Sequence, residues 1–225
     1  MKNLHKWFAL LLVVCVMAVC LTGCSGSFDA ATFVKGNLDA LYLGIANEEF
    51  LALVVDTKED LLQTYEAGLV IEAEYFFGYF DIVEESIPPE MKTEVIDMYR
   101  QIFSNSNYEI GEAVESGDNY IVPVTVYPID IIYKVMEDFE DFMTDWNNRW
   151  ELGTFDNMSA EDFETLWARE MIDLVKARLG SIGHLEAETI SMQIVSQSSN
   201  GSNFYTIRED DMRRIDALII NYPSG

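Results

Sequence analysis

The chain has 225 residues, of which 14 are Lys or Arg and 39 are Asp or Glu, so its formal net charge is −25. Its apolar fraction of 49%, with only 13 Gly and 5 Pro, excludes a disordered or collagen-like chain. The scarcity of basic residues argues against nucleic-acid binding, which depends on clustered Lys and Arg. The length fits one domain or two small ones.

The first 23 residues differ from the rest of the chain. Lys2 and Lys6 precede an unbroken apolar run at residues 7–20. This run is too short to span a bilayer, which needs about 20 residues, but it is typical of the apolar region of a signal peptide. The run ends at the motif Leu21, Thr22, Gly23 and Cys24, which resembles the lipobox of bacterial lipoproteins. The resemblance implies that residues 1–23 are a signal peptide that is removed, and that the Cys24 thiol carries a diacylglycerol.

The other two cysteines, Cys15 and Cys20, lie in the predicted signal peptide, so the mature chain has no free thiol. Removal of residues 1–23 also removes Lys2 and Lys6, which lowers the net charge to −27. Residues 24–27 then form a short tether before apolar periodicity begins at Phe28. We therefore expect a domain held at the outer face of the cell membrane by its lipid, because anionic headgroups would repel its charge.

Helical spacing of apolar residues dominates the first half of the mature chain. It predicts a helix over residues 29–46, a short apolar segment at 50–55, and a long helix behind a capping box at 57–60 that ends before Pro88. Another helix is predicted to start near Pro89 and to be closed by residues 104–107.

The apolar period changes to two at residues 108–114 and 120–126, on either side of a turn at 116–119, which predicts a β-hairpin. Pro123 lies in the second strand, so we expect an edge or a bulge beside it. A second hairpin is predicted around a turn at residues 198–201. Helices are predicted from Asp130 to Trp150, from a capping box at 159–162 to Gly180, and behind a third capping box at 206–209.

This order of elements predicts a helix-rich α+β fold, in which an antiparallel sheet of about four strands, made of two hairpins, has helices packed on one face. Since no linker rich in Pro, Gly or Ser divides the chain, we expect residues 28–225 to form a single domain. The alternative is two lobes that divide near residue 153.

Several segments of the mature chain are similar to those of uncharacterised lipoproteins from clostridial and related Gram-positive bacteria. They lie at residues 33–40, 65–69, 74–76, 108–110, 124–130 and 205–207. The resemblance implies an extracytoplasmic location and a cystatin-like or nuclear-transport-factor-like α+β cone. It implies no activity, because the shared segments are packing segments and not catalytic signatures.

The sequence contains no Gly-rich phosphate loop, no Gly-x-Ser-x-Gly elbow and no His-Glu-x-x-His motif, so we predict no catalytic residues, no metal site and no cofactor apart from the lipid on Cys24. Asp138 and Asp141 share a helical face in a chain crowded with carboxylates. We interpret this as a solvated acidic face, on which we expect at most weak binding of divalent cations.

The long helix carries an unusual aromatic stretch at residues 75–80. Tyr75 and Tyr79 are four residues apart, so they line one helical face together with Glu72. In a cone-like fold these three side chains would form a small ligand cavity, although plain burial of the helix is the more ordinary interpretation. Gly68 and Gly78 each cost about 1 kcal/mol in a helix relative to Ala, so we expect close contact with a neighbouring element there.

The function expected from the sequence is that of a membrane-anchored, non-enzymatic binding or interaction module. Its expected partners, besides the membrane, are an envelope protein, cell-wall material or a small apolar ligand, and not nucleic acid. The alternative is a small enzyme or small-ligand receptor that uses carboxylates and tyrosines in a cone cavity, which would require convergent polar groups in a pocket.

Overall fold

The computed structural model describes residues 28–199 and 202–223. The predicted signal peptide, the lipobox with Cys24, the tether and the turn at Asn200 and Gly201 therefore lie outside the described residues.

Seven α-helices occupy the described part of the chain. They are α1 (Ala30–Leu38), α2 (Glu48–Leu51), α3 (Lys58–Tyr79), α4 (Pro89–Phe103), α5 (Ile131–Glu151), α6 (Ala160–Arg178) and α7 (Glu209–Ile219). A π-helical turn, Asp39–Leu43, continues α1 and ends at Gly44, whose φ of 65° is readily adopted only by glycine. Within these residues, no helix has both the length and the apolar character needed to cross a membrane.

Two of the three predicted capping boxes are confirmed. The amide of Asp60 donates to the Thr57 hydroxyl at 3.2 Å, and the amide of Asp162 donates to the Ser159 hydroxyl at 3.1 Å. The third is wrong, because Thr206 belongs to a strand and its hydroxyl accepts a hydrogen bond from the Gln197 side chain at 3.0 Å. The strand continues to Ile207, so α7 begins only at Glu209.

The sheet is antiparallel, as predicted, and has five strands. They are β1 (Asn107–Ile110), β2 (Val114–Ser116), β3 (Asn119–Tyr127), β4 (Glu188–Ser199) and β5 (Ser202–Ile207). β1 and β2 both pair with β3, which pairs with β4, which pairs with β5. The predicted two hairpins are confirmed, with the first strand of the first hairpin split into β1 and β2.

Pro123 explains this split. Ile110 pairs with Val124 and Val114 pairs with Ile121, so three residues on one side face two on the other. The bulge predicted from Pro123 is confirmed, while the alternative of an edge is wrong because β3 has neighbours on both sides. Proline has no amide hydrogen to donate to a ladder. The Gly111 amide still donates to the Pro123 carbonyl at 2.7 Å, and regular pairing resumes only at Val114.

The two faces of the sheet differ in burial. Val122, Val124 and Val126 of β3 are fully buried on one face, where α1 and α7 pack, and alternate residues of β4 do the same. Thr189 and Ser191 of β4 are exposed on the other face. This period-two alternation confirms the predicted α+β arrangement with helices on one face of the sheet.

The described chain forms two compact units. The first, residues 28–68, 106–128 and 185–219, contains the sheet, α1, α2, the start of α3 and α7. The second, residues 69–105, 129–184 and 220–223, contains the rest of α3 with α4, α5 and α6. Residue 153 lies inside the second unit. The number of independent domains stays a prediction.

Candidate functional site

The predicted lipidation site precedes Phe28, the first described residue. The Phe28 ring is buried in the first unit, where it stacks on Tyr205 at a centroid distance of 4.1 Å and lies 5.6 Å from Tyr120. The chain is therefore held at the folded unit four residues after Cys24. Cys24 itself lies outside the described residues, so its modification stays a prediction.

The second predicted site, Glu72, Tyr75 and Tyr79 on α3, lies in the second unit. The rings of Tyr75 and Tyr79 stack with their centroids 6.4 Å apart, and both pack edge-on against Tyr222, at 4.6 and 5.1 Å. The Tyr222 hydroxyl in turn forms a short hydrogen bond with the hydroxyl of Tyr99 on α4. We name Glu72, Tyr75, Tyr79, Tyr99 and Tyr222 the tyrosine cluster.

The electrostatics of the tyrosine cluster keep its hydroxyls protonated. Burial raises the pKa of Tyr75 and of Tyr79, and the charge of Glu72 adds to the shift of Tyr75. Burial also raises the pKa of Tyr99 and Tyr222 well above the usual value, again with a contribution from Glu72. At neutral pH these phenols therefore act as hydrogen-bond donors and not as bases, because their charged forms are disfavoured.

Sequence reasoning brought three members of this cluster together and missed two. Tyr99 belongs to another helix, α4, and Tyr222 carries no periodic signal because it follows the last helix. Tyr222 is placed by the tail at residues 220–223, where Ile220 forms a β-bridge with Ile129 and the Pro223 carbonyl accepts a hydrogen bond from Tyr79 at 3.4 Å.

Replacing Tyr222 with Phe should lower the free energy of unfolding by about 1–2 kcal/mol, because the buried Tyr99 hydroxyl then loses its partner. Urea denaturation followed by circular dichroism measures the change. Tyr133→Phe is the matched control, since Tyr133 is exposed and its hydroxyl should contribute less than about 0.5 kcal/mol. Equal effects of the two substitutions would contradict the structural role of the Tyr99–Tyr222 pair.

A groove of about 400 Å³ runs between α4 and α6 in the second unit. Its lining includes Glu94, which accepts hydrogen bonds from Lys176 at 2.7 Å and from Arg169 at 2.8 and 2.9 Å. These two cations lower the pKa of Glu94. Glu94 is therefore an ionised partner in an ion-pair network, which does not suit it to act as a general acid at neutral pH.

An aromatic cluster lies at the end of the α5–α6 helix pair. It consists of six rings, each with its centroid within 6 Å of at least one other. They are Phe142, Trp146, Trp150, Phe155, Phe163 and Trp167. The Arg149 guanidinium lies 5.0 Å from the Trp146 ring centroid and donates to Glu170 at 3.0 Å. Phe155 thus packs the connecting loop against rings of both helices, Trp146 on α5 and Phe163 on α6.

Two large apolar side chains of this region are not covered within the described chain. Trp150 is 60% exposed and Leu152 is 83% exposed, while their neighbour Phe155 is buried. We call Trp150 and Leu152 with their loop the aromatic tip. Its surroundings are acidic, because residues 145–162 contain five carboxylates and one basic residue, Arg149. Trp150 lies four residues after buried Trp146, near the end of α5 at Glu151, so helical spacing alone does not indicate that it is exposed.

Part of the acidic face of α5 forms an ion pair within the second unit. The Asp138 carboxylate accepts a hydrogen bond from Arg178 Nε at 2.6 Å, and Arg178 lowers the pKa of this carboxyl. Asp138 thus has a cationic partner, whereas Asp141 is exposed. Among the described residues no group of three or more potential ligands is placed to hold a metal ion. Weak cation binding by the acidic surface stays a prediction.

Comparison with known proteins supports the fold. No family model matches the chain, and no curated protein matches it. Among solved structures, the chain is similar to ycdA of Bacillus subtilis, which is provisionally described as a lipoprotein, with a TM-score of 0.52 and 13% identity. The match covers 84% of this chain, and the chain spans about half (54%) of the length of that protein. At this identity the likeness shows a shared fold alone, and the cystatin-like resemblance stays a prediction.

Proposed function

We propose that this protein is a bacterial lipoprotein, anchored by a lipid on Cys24 at the outer face of the cell membrane. The observation that carries the proposal is the order of the N-terminal residues: Lys2 and Lys6, an apolar run of 14 residues, and then Leu21, Thr22, Gly23 and Cys24. The likeness of its fold to that of a Bacillus subtilis lipoprotein supports it. The lipid supplies about 0.8 kcal/mol of membrane binding for each buried CH₂ group.

Replacing Cys24 with Ala should abolish lipid attachment and leave residues 1–23 uncleaved, because the sulfur of the Cys24 thiol is the atom that is alkylated. The measurement is the intact mass of the protein purified from membranes, together with incorporation of a labelled fatty acid. Ser25→Ala is the control, and it should be lipidated like the natural chain. Label in the Cys24→Ala protein would contradict the proposal.

We further propose that the folded part is an interaction module, and that its aromatic tip contacts a protein. Exposed Trp150 and Leu152 provide the apolar contact, as large exposed apolar side chains do at many interfaces. The carboxylates around them specify the partner's chemistry. A site rimmed by Lys or Arg complements them, whereas insertion into an anionic membrane would bring like charges together.

Photo-crosslinking in intact cells tests this interaction. A photo-reactive amino acid at position 152 should give a discrete protein adduct, and the adduct should be lost when Trp150 is replaced with Ser and weakened by high salt. The matched control is the same photo-reactive residue at Val55, which is 61% exposed but lies in the first unit. Adducts that form equally from position 55, or that survive the loss of Trp150, would contradict the proposed role of the tip.

The alternative function, a small enzyme or ligand receptor built on Glu72, Tyr75 and Tyr79, has less support. The rings of Tyr75 and Tyr79 are packed against Tyr222, and burial keeps the phenols protonated. A ligand would have to displace Tyr222 and break its hydrogen bond with Tyr99 before it reached these rings.

A further inference from the structure

The position of Phe28 restricts where a membrane anchor can lie relative to the first unit. The Phe28 ring contacts Tyr120, the second residue of β3, and Tyr205 of β5. Tyr120 lies two residues after the two-residue turn, Gly117 and Asp118, that connects β2 to β3. The chain thus enters the first unit beside this turn, and we call this part of the sheet the turn end.

The tether is short compared with the sheet. Four residue steps separate Cys24 from Phe28, so they span at most about 14 Å when fully extended. Strand β4, with 12 residues, extends over nearly 40 Å, at about 3.3 Å per residue. Tyr205 pairs with Ser196, eight positions from the Glu188 end of β4. A lipid on Cys24 therefore reaches the turn end but not the Glu188 end.

The tether also enters on a particular face of the sheet. Tyr120 has the same parity along β3 as the buried residues Val122, Val124 and Val126, so Phe28 lies on the face that the helices cover. The opposite face, with exposed Thr189 and Ser191, points away from the tether. Because the short tether joins the unit on the helix-covered face, it does not favour an orientation in which the face with Thr189 and Ser191 lies against the bilayer.

We propose that the turn end of the first unit faces the headgroup layer of the bilayer and that the Glu188 end of β4 points away from it. This inference rests on the proposed lipid at Cys24. The side chains at the turn end are mostly polar, among them exposed Glu115, Ser116 and Asp118, so this end does not insert into the hydrocarbon. Its carboxylates add no attraction to the headgroups, so the short tether alone keeps the turn end near them. The lipid thus holds the first unit at the bilayer, and attachment of the tether at the turn end sets the orientation of the unit.

The experiment places one fluorescent label at a time along β4 of the full lipidated chain, bound to phosphatidylcholine vesicles that carry an acceptor dye on their headgroups. The label positions are Ser198→Cys, Ser191→Cys and Glu188→Cys, all exposed sites. Each new thiol is unique, because the only mature cysteine, Cys24, is alkylated. Energy transfer then reports the distance of each label from the headgroups.

The Ser198 label should lie about 30 Å nearer the headgroups than the Glu188 label, from ten residues of strand at about 3.3 Å each, with the Ser191 label between them. Insertion of a flexible linker of about 20 residues after Gly26 is the control, and it should abolish the gradient by releasing the unit from the surface. Equal distances, or a reversed order, on a chain whose lipid is confirmed by mass would overturn the orientation alone. Absence of the lipid would overturn the proposed anchoring, and the orientation with it.

Discussion

Replacement of Gly36 with Ala should lower the free energy of unfolding by about 3 kcal/mol, through overpacking. Gly36 lies in α1, and a Cβ atom built there would lie 2.1–2.5 Å from the Cγ, Cδ2 and Cβ atoms of Phe50 on α2. Phe50 is completely buried and its ring centroid lies 6.4 Å from that of Phe33. The clash therefore falls on the inner atoms of a packed side chain and not on a flexible end. The helix propensity that Ala gains over Gly, about 1 kcal/mol, is smaller than this cost.

The matched control is Gly68→Ala in α3, which should raise the free energy of unfolding by about 0.5–1 kcal/mol. A Cβ atom at Gly68 meets nothing within 4 Å. The prediction from the sequence that Gly68 closely contacts a neighbouring element is therefore wrong. Urea denaturation of the two variants should give changes of opposite sign. A Gly36→Ala protein as stable as the natural chain would contradict the tight packing of α1 on Phe50.

Replacement of Asp216 with Asn should make the protein more stable at pH 7 and have little effect at pH 4. Asp216 lies on α7, and its carboxylate accepts a hydrogen bond from the Tyr42 hydroxyl at 3.2 Å. Burial raises the pKa of Asp216 to about 6, from 3.8, while the hydrogen bond from Tyr42 opposes the shift. The ionised carboxylate is thus the disfavoured form in the folded protein.

The direction of the pH dependence follows from the proton balance. Between about pH 4 and pH 6 the folded state binds the Asp216 proton and the unfolded state has released it, so stability falls as the pH rises through this window. The full shift would correspond to about 3 kcal/mol at pH 7, and partial exposure of the side chain reduces the expected gain in Asp216→Asn to about 1–2 kcal/mol. Asparagine can still accept the hydrogen bond from Tyr42.

Thermal denaturation at pH 4, 5, 6 and 7 measures the gain. Glu186→Gln is the control, since Glu186 is exposed in the same unit, and its substitution should change stability by less than about 0.5 kcal/mol at every pH. A gain for Asp216→Asn that stayed constant from pH 4 to pH 7 would contradict a raised pKa as its cause.

Local patterns in the sequence predicted most elements correctly, for reasons that are themselves local. Thr57 and Ser159 accept hydrogen bonds from the amides three residues later, so the starts of α3 and α6 depend on nearby residues only. Pro123 predicted a bulge because proline cannot donate to a ladder. Thr206 matched the same capping pattern but failed, because pairing of β5 with β4 holds it in the sheet.

The sequence predicted the candidate sites less completely than it predicted the helices and strands. The spacing of Tyr75 and Tyr79 places them on one helical face, but nothing local to α3 indicates that Tyr222, more than 140 residues later, packs against both rings. Likewise, Trp150 lies four residues after buried Trp146, so helical periodicity by itself would place both rings on one face, but Trp150 is exposed. The cover that Trp150 has comes from Phe155 in the loop and Phe163 on α6, both 5.8 Å from its ring, and these contacts are not local to α5.

The sequence by itself determined the order of helices and strands, the antiparallel hairpins and the predicted lipidation site at Cys24, because periodicity, caps and short motifs act over a few residues. The tertiary structure decided which side chains meet across long separations: Gly36 with its close approach to Phe50, Tyr42 with Asp216, and Tyr99 with Tyr222. Packing and burial set these contacts and the pKa of Asp216, and both depend on atoms that are distant in the chain.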